Sequence, residues 1–243
     1  MEPRHPTSAI LLAAGRGKRQ RPYTDLTPKP LLEVDGRPTL DYVLRAVAKA
    51  GVTRVCIVTN HLEEQIFQYV GDGSRWNLSA TFAHQTELRG NGDALLSTPN
   101  EWRRDEPVMV VATDYILQEN ALTDLVTAHE QRAADITMSI KECPVEELST
   151  RSSVDVASDW RVRRIVEKPK REEILSPYAA SVLFIFPPKI WEYLAKIQPS
   201  PRGEYELQSA VDAMIQDGFR AYGLLQPAPR EWDPSLHLRD GTG

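Results

Sequence analysis

Hydrophobic residues along this chain follow two rhythms, and the change from one to the other marks out its elements. Dense apolar runs of strand length occur at 9–15 (AILLAAG), 54–60 (RVCIVTN), 80–85 (ATFAHQ), 107–114 (PVMVVATD), 136–142 (ITMSIKE), 161–169 (RVRRIVEKP) and 179–186 (AASVLFIF). Several are nearly continuous in Val, Ile and Leu, the pattern of strands covered on both faces. Between them apolar residues recur three and four apart. Leu40, Val43, Leu44 and Val47 sit at i, i+3, i+4 and i+7, with Thr39 placed as a cap and Gly51 as a stop. The same spacing predicts helices over 62–70, 121–133, 190–197 and 207–214, the last closed by Gly218. Strand and helix alternate for the first 140 residues. That argues an α/β fold: a Rossmann-like, doubly wound, largely parallel sheet with helices on both faces. After Ile136 strands dominate, through a turn at 157–160 (ASDW), before two helices and a last strand near Tyr222. No repeat or low-complexity linker intervenes, so residues 1–243 read as a single domain with a β-rich second half.

Composition narrows the setting. A chain of 243 residues with 41% hydrophobic and 26% charged residues is an ordinary globular chain able to bury a sizeable core. A net charge of −5 argues against bulk electrostatic binding to nucleic acid. Cys56 and Cys143 form no CxxC pair and read as small buried hydrophobes in a reducing compartment. The five histidines show no HxxxH or HExxH spacing, which argues against zinc. No apolar stretch approaches the roughly 20 residues of a membrane span, and the opening MEPRHPTS lacks an apolar signal core. The expectation is a soluble cytoplasmic protein with neither membrane nor nucleic-acid partner.

Against that acidic background one stretch is basic. Directly after the first strand, AAGRGKR places Arg16, Lys18 and Arg19 within five residues of Gly15, and Arg21 and Lys29 follow, offset only by Asp25. In open α/β sheets ligands sit beyond the carboxyl ends of strands. Glycines there let backbone N–H groups approach a phosphate, and the cations neutralise it. A polyanion is the natural guest. A dinucleotide GxGxxG fails, because the third glycine position holds Gln20 and Asp35 lies in the turn VDGRP; the P-loop GxxxxGK[ST] is absent.

The stretch LLAAGRGKRQRPYTDLTPKPLLEVDGRP resembles the opening of the sugar-1-phosphate nucleotidylyltransferases, the nucleotide-sugar pyrophosphorylases. Gly15, Gly17, Arg19, Pro22, Thr24, Pro28, Lys29 and Pro30 follow that family's order, with Ala14 where many members have glycine. The resemblance continues through QTELRGNGDAL (85–95), VVATD (110–114), IVEKP (165–169), PSPRGEYELQSAV (199–211) and EWDP (231–234). It implies a short form, without an appended β-helix, that joins a nucleoside triphosphate to a sugar 1-phosphate with loss of pyrophosphate. By the resemblance, residues 1–135 form the nucleotide-binding half and 136–243 the sugar-phosphate-binding half. Arg19 and Lys29 are implied as catalytic, and Ala13, Ala14, Gly15, Gly17, Gln85 and Gly90 as nucleotide-binding. Glu167, Lys168, Ser153 and Ser181 are implied for the sugar phosphate, and Asp114 and Asp233 for Mg²⁺. A homo-oligomer is a family-level expectation.

The acceptor end departs most from the pattern. Ser152 or Ser153 stands where many members carry a tyrosine–glycine pair, Ser181 replaces a frequent glycine, and the spacing W-x-D is compressed to Trp232-Asp233. Asn91 replaces threonine and Thr113 glycine. These departures leave open a non-sugar phosphate acceptor, as in related cytidylyltransferases, and a regulatory paralogue without catalysis. The base is also open, since a glutamine amide both donates and accepts.

Overall fold

The computed structural model describes residues 5–103 and 105–234. Strand β1 (Ser8–Leu12) shows why its run is apolar on both sides. Ile10 enters one core layer while Ala9 and Leu11 enter the other, and all three are fully buried. It lies parallel to β2 (Arg54–Thr59) on one side and, across β3 (Ser79–His84) in chain order, to β4 (Val108–Ala112) on the other. The remaining strands are β5 (Ile136–Glu142), β6 (Ser152–Val156), β7 (Val162–Glu167), β8 (Tyr178–Phe186) and β9 (Ala221–Leu225). The central sheet has seven strands in the order β9-β5-β8-β4-β1-β2-β3. Only β8 runs against its neighbours. Because β8 is antiparallel to both β4 and β5, those two point the same way as β1. Their carboxyl ends therefore share one edge of the sheet, and β6 and β7 form a separate antiparallel hairpin.

Helices cover both faces, as the alternation requires. Helix α1 (Thr39–Lys49), α2 (Glu63–Val70) and, past α3 (Asn91–Leu96), α4 (Ala121–Gln131) bury Leu40, Leu44, Ile66, Leu122 and Leu125 against one face. Helix α3, α5 (Ile190–Leu194) and α6 (Leu207–Gln216) bury Leu95, Ile190, Leu194, Val211 and Met214 against the other. No helix among the described residues is long and apolar enough to cross a membrane.

One local expectation needs correction, and two elements carry no signal in the sequence pattern. Thr39 is not the cap of α1: Pro38 holds that position, and the Thr39 hydroxyl donates to the Pro30 carbonyl at 3.1 Å, tying the helix to the Lys29 loop. Helix α3 escaped the periodic reading because six residues containing Gly92 show less than two turns of apolar repeat. Strand β6 was hidden by its serines. Ser152 and Ser153 are buried because their hydroxyls bond to backbone, a tertiary arrangement that no local pattern signals.

Candidate active site

The shared carboxyl edge opens on a cavity of about 470 Å³, walled by residues 12–20, Lys29, Gln85, Gly90, Asp114 and Glu204. The loop leaving β1 forms its floor. Ala13 still belongs to the ladder, its N–H donating to Val58 O at 2.8 Å. From Ala14 to Arg19, among the described residues, no backbone N–H is bonded within the protein. Six consecutive open donors at a strand end make a ready anion cradle. Arg16, Lys18 and Arg19 are exposed around it and form no ion pair among the described residues.

Gly17 gives the loop its shape. Its φ is +60°, and a Cβ there would lie 2.7 Å from Thr24 Cγ2. The Thr24 hydroxyl donates to Gly17 O at 2.8 Å and holds the turn closed. Gly15, in contrast, has open space where a Cβ would stand, on the cavity side. Gly17→Ala is expected to cost about 1–3 kcal/mol through left-handed strain and the clash with Thr24. Thermal unfolding would record the loss, whereas Gly15→Ala should leave the melting temperature within about 2 °C.

The lysine of PKP and the aspartate ending β4 meet directly. Lys29 Nζ donates to Asp114 Oδ2, with both side chains at least three-quarters buried. Pro28 precedes the single helical turn Lys29–Leu31, and Pro30 lies within it. Thr113, where glycine was expected, donates its hydroxyl to Leu12 O at 2.8 Å and ties the ends of β1 and β4 together. Just beyond, Glu231 pairs with Tyr115 and Arg230 with Ile116 in a short antiparallel ribbon. Trp232 and Asp233 follow directly after this ribbon. The Trp232 indole packs with Leu32 and Val34 and donates to Glu33 O at 3.1 Å. This anchor holds the compressed Trp-Asp pair at the Lys29 loop.

Gln85 and Gly90 lie at one end of the cavity. Gln85 is buried, and its amide nitrogen donates to Gly90 O at 3.1 Å and to Asp93 Oδ2 at 2.9 Å. Gly90 has φ +103°, and a Cβ on it would strike Tyr205 O at 2.6 Å. Here the RGEYE segment meets the Arg89–Gly92 loop: Tyr205 N donates to Arg89 O at 2.6 Å, and Gly92 N to Tyr205 O at 2.9 Å. Asn91 Oδ1 accepts from Leu207 N at 2.8 Å, so the residue replacing threonine caps α6.

The residues that the resemblance implies for the sugar phosphate begin at the end of β7. Lys168 adopts φ +45°, unusual for a residue with a side chain, and its N–H donates to Arg151 O at 2.6 Å. Its ammonium reaches Glu204 at 3.1 Å, and Glu204 lines the cavity. Arg202 pairs with the buried Glu206 and with Glu167 O. Burial, opposed by Lys168 but reinforced by the nearby Glu206, pushes the Glu167 carboxyl up to about 7. A carboxyl raised in the folded state stabilises fully below its unfolded value near 4.5, and this contribution is lost as pH rises through about 7. Unfolding titrations of wild type and Glu167→Gln should therefore differ most in slope between those values, by at most about 1.4 kcal/mol per pH unit.

Two serines expected at the acceptor point inward. Ser153 is fully buried; its hydroxyl accepts from Leu175 N at 2.9 Å and Ser176 N at 3.3 Å and donates to Ser176 O at 3.2 Å. Ser181 is 1% exposed, and its hydroxyl has no partner among the described residues. The first serves the hairpin rather than a ligand, and the second is sealed from solvent. Glu204, Asp93 and Arg151 belong to the site's frame but were not singled out from sequence. Glu204 lies in the RGE motif, while the other two join it only through tertiary contacts. Arg151 follows a run with no apolar period and pairs with Glu147 at 3.3 Å and Glu231 at 3.5 Å.

Comparison with known proteins gives one picture. The nucleotidyl transferase family model matches residues 8–232. The UTP–glucose-1-phosphate uridylyltransferase AglF of Haloferax volcanii is 35% identical over 211 residues, covering 86% of this chain and 84% of that one. A glucose-1-phosphate thymidylyltransferase of Streptomyces antibioticus is 32% identical over 213 residues, covering 86% of this chain but 58% of its own length. A UDP-glucose pyrophosphorylase solved with UDP-glucose superposes with a TM-score of 0.81 at 20% identity, covering 94% of this chain and 93% of that one. That last likeness speaks to the fold alone.

Proposed function

We infer the function from one premise: this chain belongs to the nucleotidyl transferase family. It is a nucleotidyltransferase that joins a nucleoside triphosphate to a sugar 1-phosphate, giving a nucleotide sugar and pyrophosphate. We propose glucose 1-phosphate as acceptor and a uridine or thymidine triphosphate as donor, the substrates named for its relatives. The observation that carries the reading is the row of N–H donors from Ala14 to Arg19, open among the described residues, on a cavity that Arg16, Lys18, Arg19 and Glu204, the partner of Lys168, also line.

In the proposed reaction a phosphate oxygen of the sugar phosphate attacks the α-phosphorus, and the bond to the pyrophosphate oxygen breaks in line. Little covalent work falls to the protein, so positioning and charge dominate. The open loop donors and Arg19 hold the β- and γ-phosphates and stabilise charge on the leaving pyrophosphate. Lys168, released from Glu204, holds the attacking phosphate. Lys29 stands beside the α-phosphate from its position on Asp114.

Among the described residues no three His, Cys, Asp or Glu side chains gather around one point. Mg²⁺ is bound in such sites by one or two carboxylates plus substrate phosphates, and Asp114 on the cavity wall fits as one of them; Asp233, implied by the resemblance as the second, is not among the described residues that line the cavity. The Lys29 ammonium on Asp114 marks the position as one that already attracts a cation. Mg²⁺ held there would neutralise phosphate charge and orient the α-phosphate. The test is pyrophosphate release across five nucleoside triphosphates and a panel of sugar 1-phosphates with Mg²⁺. Release with glucose 1-phosphate is expected, and silence across the whole matrix from folded protein would overturn the assignment.

A further inference from the structure

Two carboxylates line the cavity among the described residues, Asp114 and Glu204, and each already carries a lysine. Arg16, Lys18, Arg19 and Lys29 line it as well, so its wall favours an anion and leaves neither carboxylate uncovered for a cation. The Lys29–Asp114 pair is the more enclosed of the two. Its side chains are 12% and 25% exposed, against 33% and 41% for Lys168 and Glu204. Neither Lys29 nor Asp114 makes another side-chain hydrogen bond or ion pair among the described residues. The backbone beneath the lysine is fixed: Leu32 N donates to Lys29 O at 3.2 Å, and the Thr39 hydroxyl donates to Pro30 O at 3.1 Å. Its stem runs against the anion cradle, since a Cβ on Gly17 would stand 3.2 Å from Lys29 Cβ. A lysine stem is four flexible carbons, so the ammonium is able to move from Asp114 to a phosphate on that loop while the backbone stays in place.

We propose that Lys29 is the resident counter-ion of Asp114 and keeps the metal position closed until a triphosphate draws its ammonium away. This inference rests on the nucleotidyl-transfer reading of the cavity. A carboxylate bears one negative charge, and the ammonium already neutralises it. A divalent ion arriving alone would share Asp114 with a like charge at contact distance, in a partly buried place where salt screens such repulsion poorly. Mg²⁺ also dehydrates reluctantly, so a single covered carboxylate offers it little in exchange for its water. A triphosphate changes both conditions. It brings several negative charges, gives Lys29 an acceptor in place of Asp114, and supplies further oxygens for the ion. Lys29 thereby couples the arrival of the metal to the arrival of the nucleotide. Removing the ammonium strands a mostly buried carboxylate, and a divalent ion then becomes its compensating charge.

The test titrates Mn²⁺ alone, followed by electron paramagnetic resonance, into nucleotide-free wild type, Lys29→Met, Lys29→Gln and Lys29→Arg. In wild type, submillimolar Mn²⁺ should find no site that depends on Asp114. Lys29→Met and Lys29→Gln should bind Mn²⁺ at least about tenfold more tightly than wild type, whereas Lys29→Arg, which keeps the charge, should not. Adding Asp114→Asn to Lys29→Met should abolish the gain and so place the ion. Thermal melts give a second readout. Mn²⁺ should raise the melting temperature of Lys29→Met and leave that of wild type within about 1 °C, because a ligand stabilises only a folded state that binds it. A merely structural Lys29 would lower the melting temperature without making it depend on metal. Folded Lys29→Met or Lys29→Gln that binds Mn²⁺ no better than wild type would overturn the inference. A wild-type Mn²⁺ site that Asp114→Asn removes would overturn it without any Lys29 variant, and in both cases pyrophosphate release would leave nucleotidyl transfer standing. Absence of pyrophosphate release with every triphosphate would instead overturn the transferase reading beneath it.

Discussion

Arg19→Ala is expected to lower kcat/KM for the nucleoside triphosphate by on the order of 10²- to 10³-fold, with no change in melting temperature. The expectation follows from what the side chain does and does not touch. It is exposed, lines the cavity, and forms no ion pair among the described residues, so the unliganded fold draws no stability from it. In the proposed reaction its charge would instead act beside the N–H donors of residues 14–19, where negative charge would grow as pyrophosphate leaves. Losing one preorganised charge contact of this kind typically costs about 3–4 kcal/mol of transition-state stabilisation. Arg19→Lys should recover part of the loss, since an ammonium keeps the charge but not the two-pronged geometry. Steady-state kinetics beside a thermal melt would settle it. Turnover within a few-fold of wild type for Arg19→Ala would remove Arg19 from the catalytic group.

Asp114 should show the opposite profile, losing both activity and stability. The Asp114–Lys29 pair is mostly buried, and removing one partner leaves the other charge without compensation. Asp114→Ala is expected to destabilise by about 2–4 kcal/mol and to reduce turnover by at least 10³-fold. The pairing of Asp114→Asn with Lys29→Met separates the two effects. Neutralising both partners should restore most of the melting temperature, because no charge remains stranded, while turnover stays at its floor. A coupling energy near zero in that cycle would mean that the ion pair does not hold the ends of β4 and the PKP loop together.

Both predictions start from residues that stand out in the sequence, yet the structure gives them different meanings. Arg19 and Lys29 belong to one basic stretch and look alike as cations. Only the fold separates an arginine on the cavity wall, with no ion pair among the described residues, from a lysine already bound to the Asp114 carboxylate. Ser153 and Ser181 make the same point in reverse. Their place in the family pattern suggested contact with the acceptor, but strand alternation and the β6–β7 hairpin turn both inward. Side-chain direction at those positions depends on how the hairpin lies against β8, and no local pattern carries that information.

What the amino-acid sequence determined by itself was the architecture and the place of the basic loop in it. Continuous apolar strands alternating with amphipathic helices admit little besides a doubly wound, largely parallel sheet, because each strand must be covered on both faces. A glycine-bearing, cation-rich loop directly after the first strand falls at the carboxyl edge in such a sheet. Those are local and periodic properties, written in consecutive residues. Tertiary structure alone decided the relations between segments distant in the chain: Lys29 with Asp114, Lys168 with Glu204, Tyr205 against Gly90 and Gly92, and Asp93 behind Gln85 in a helix too short to announce itself. Hydrogen-bond polarity belongs to that second class. A glutamine is able to donate or accept until the Asp93 carboxylate and the Gly90 carbonyl, both accepting from its NH₂, leave it one choice.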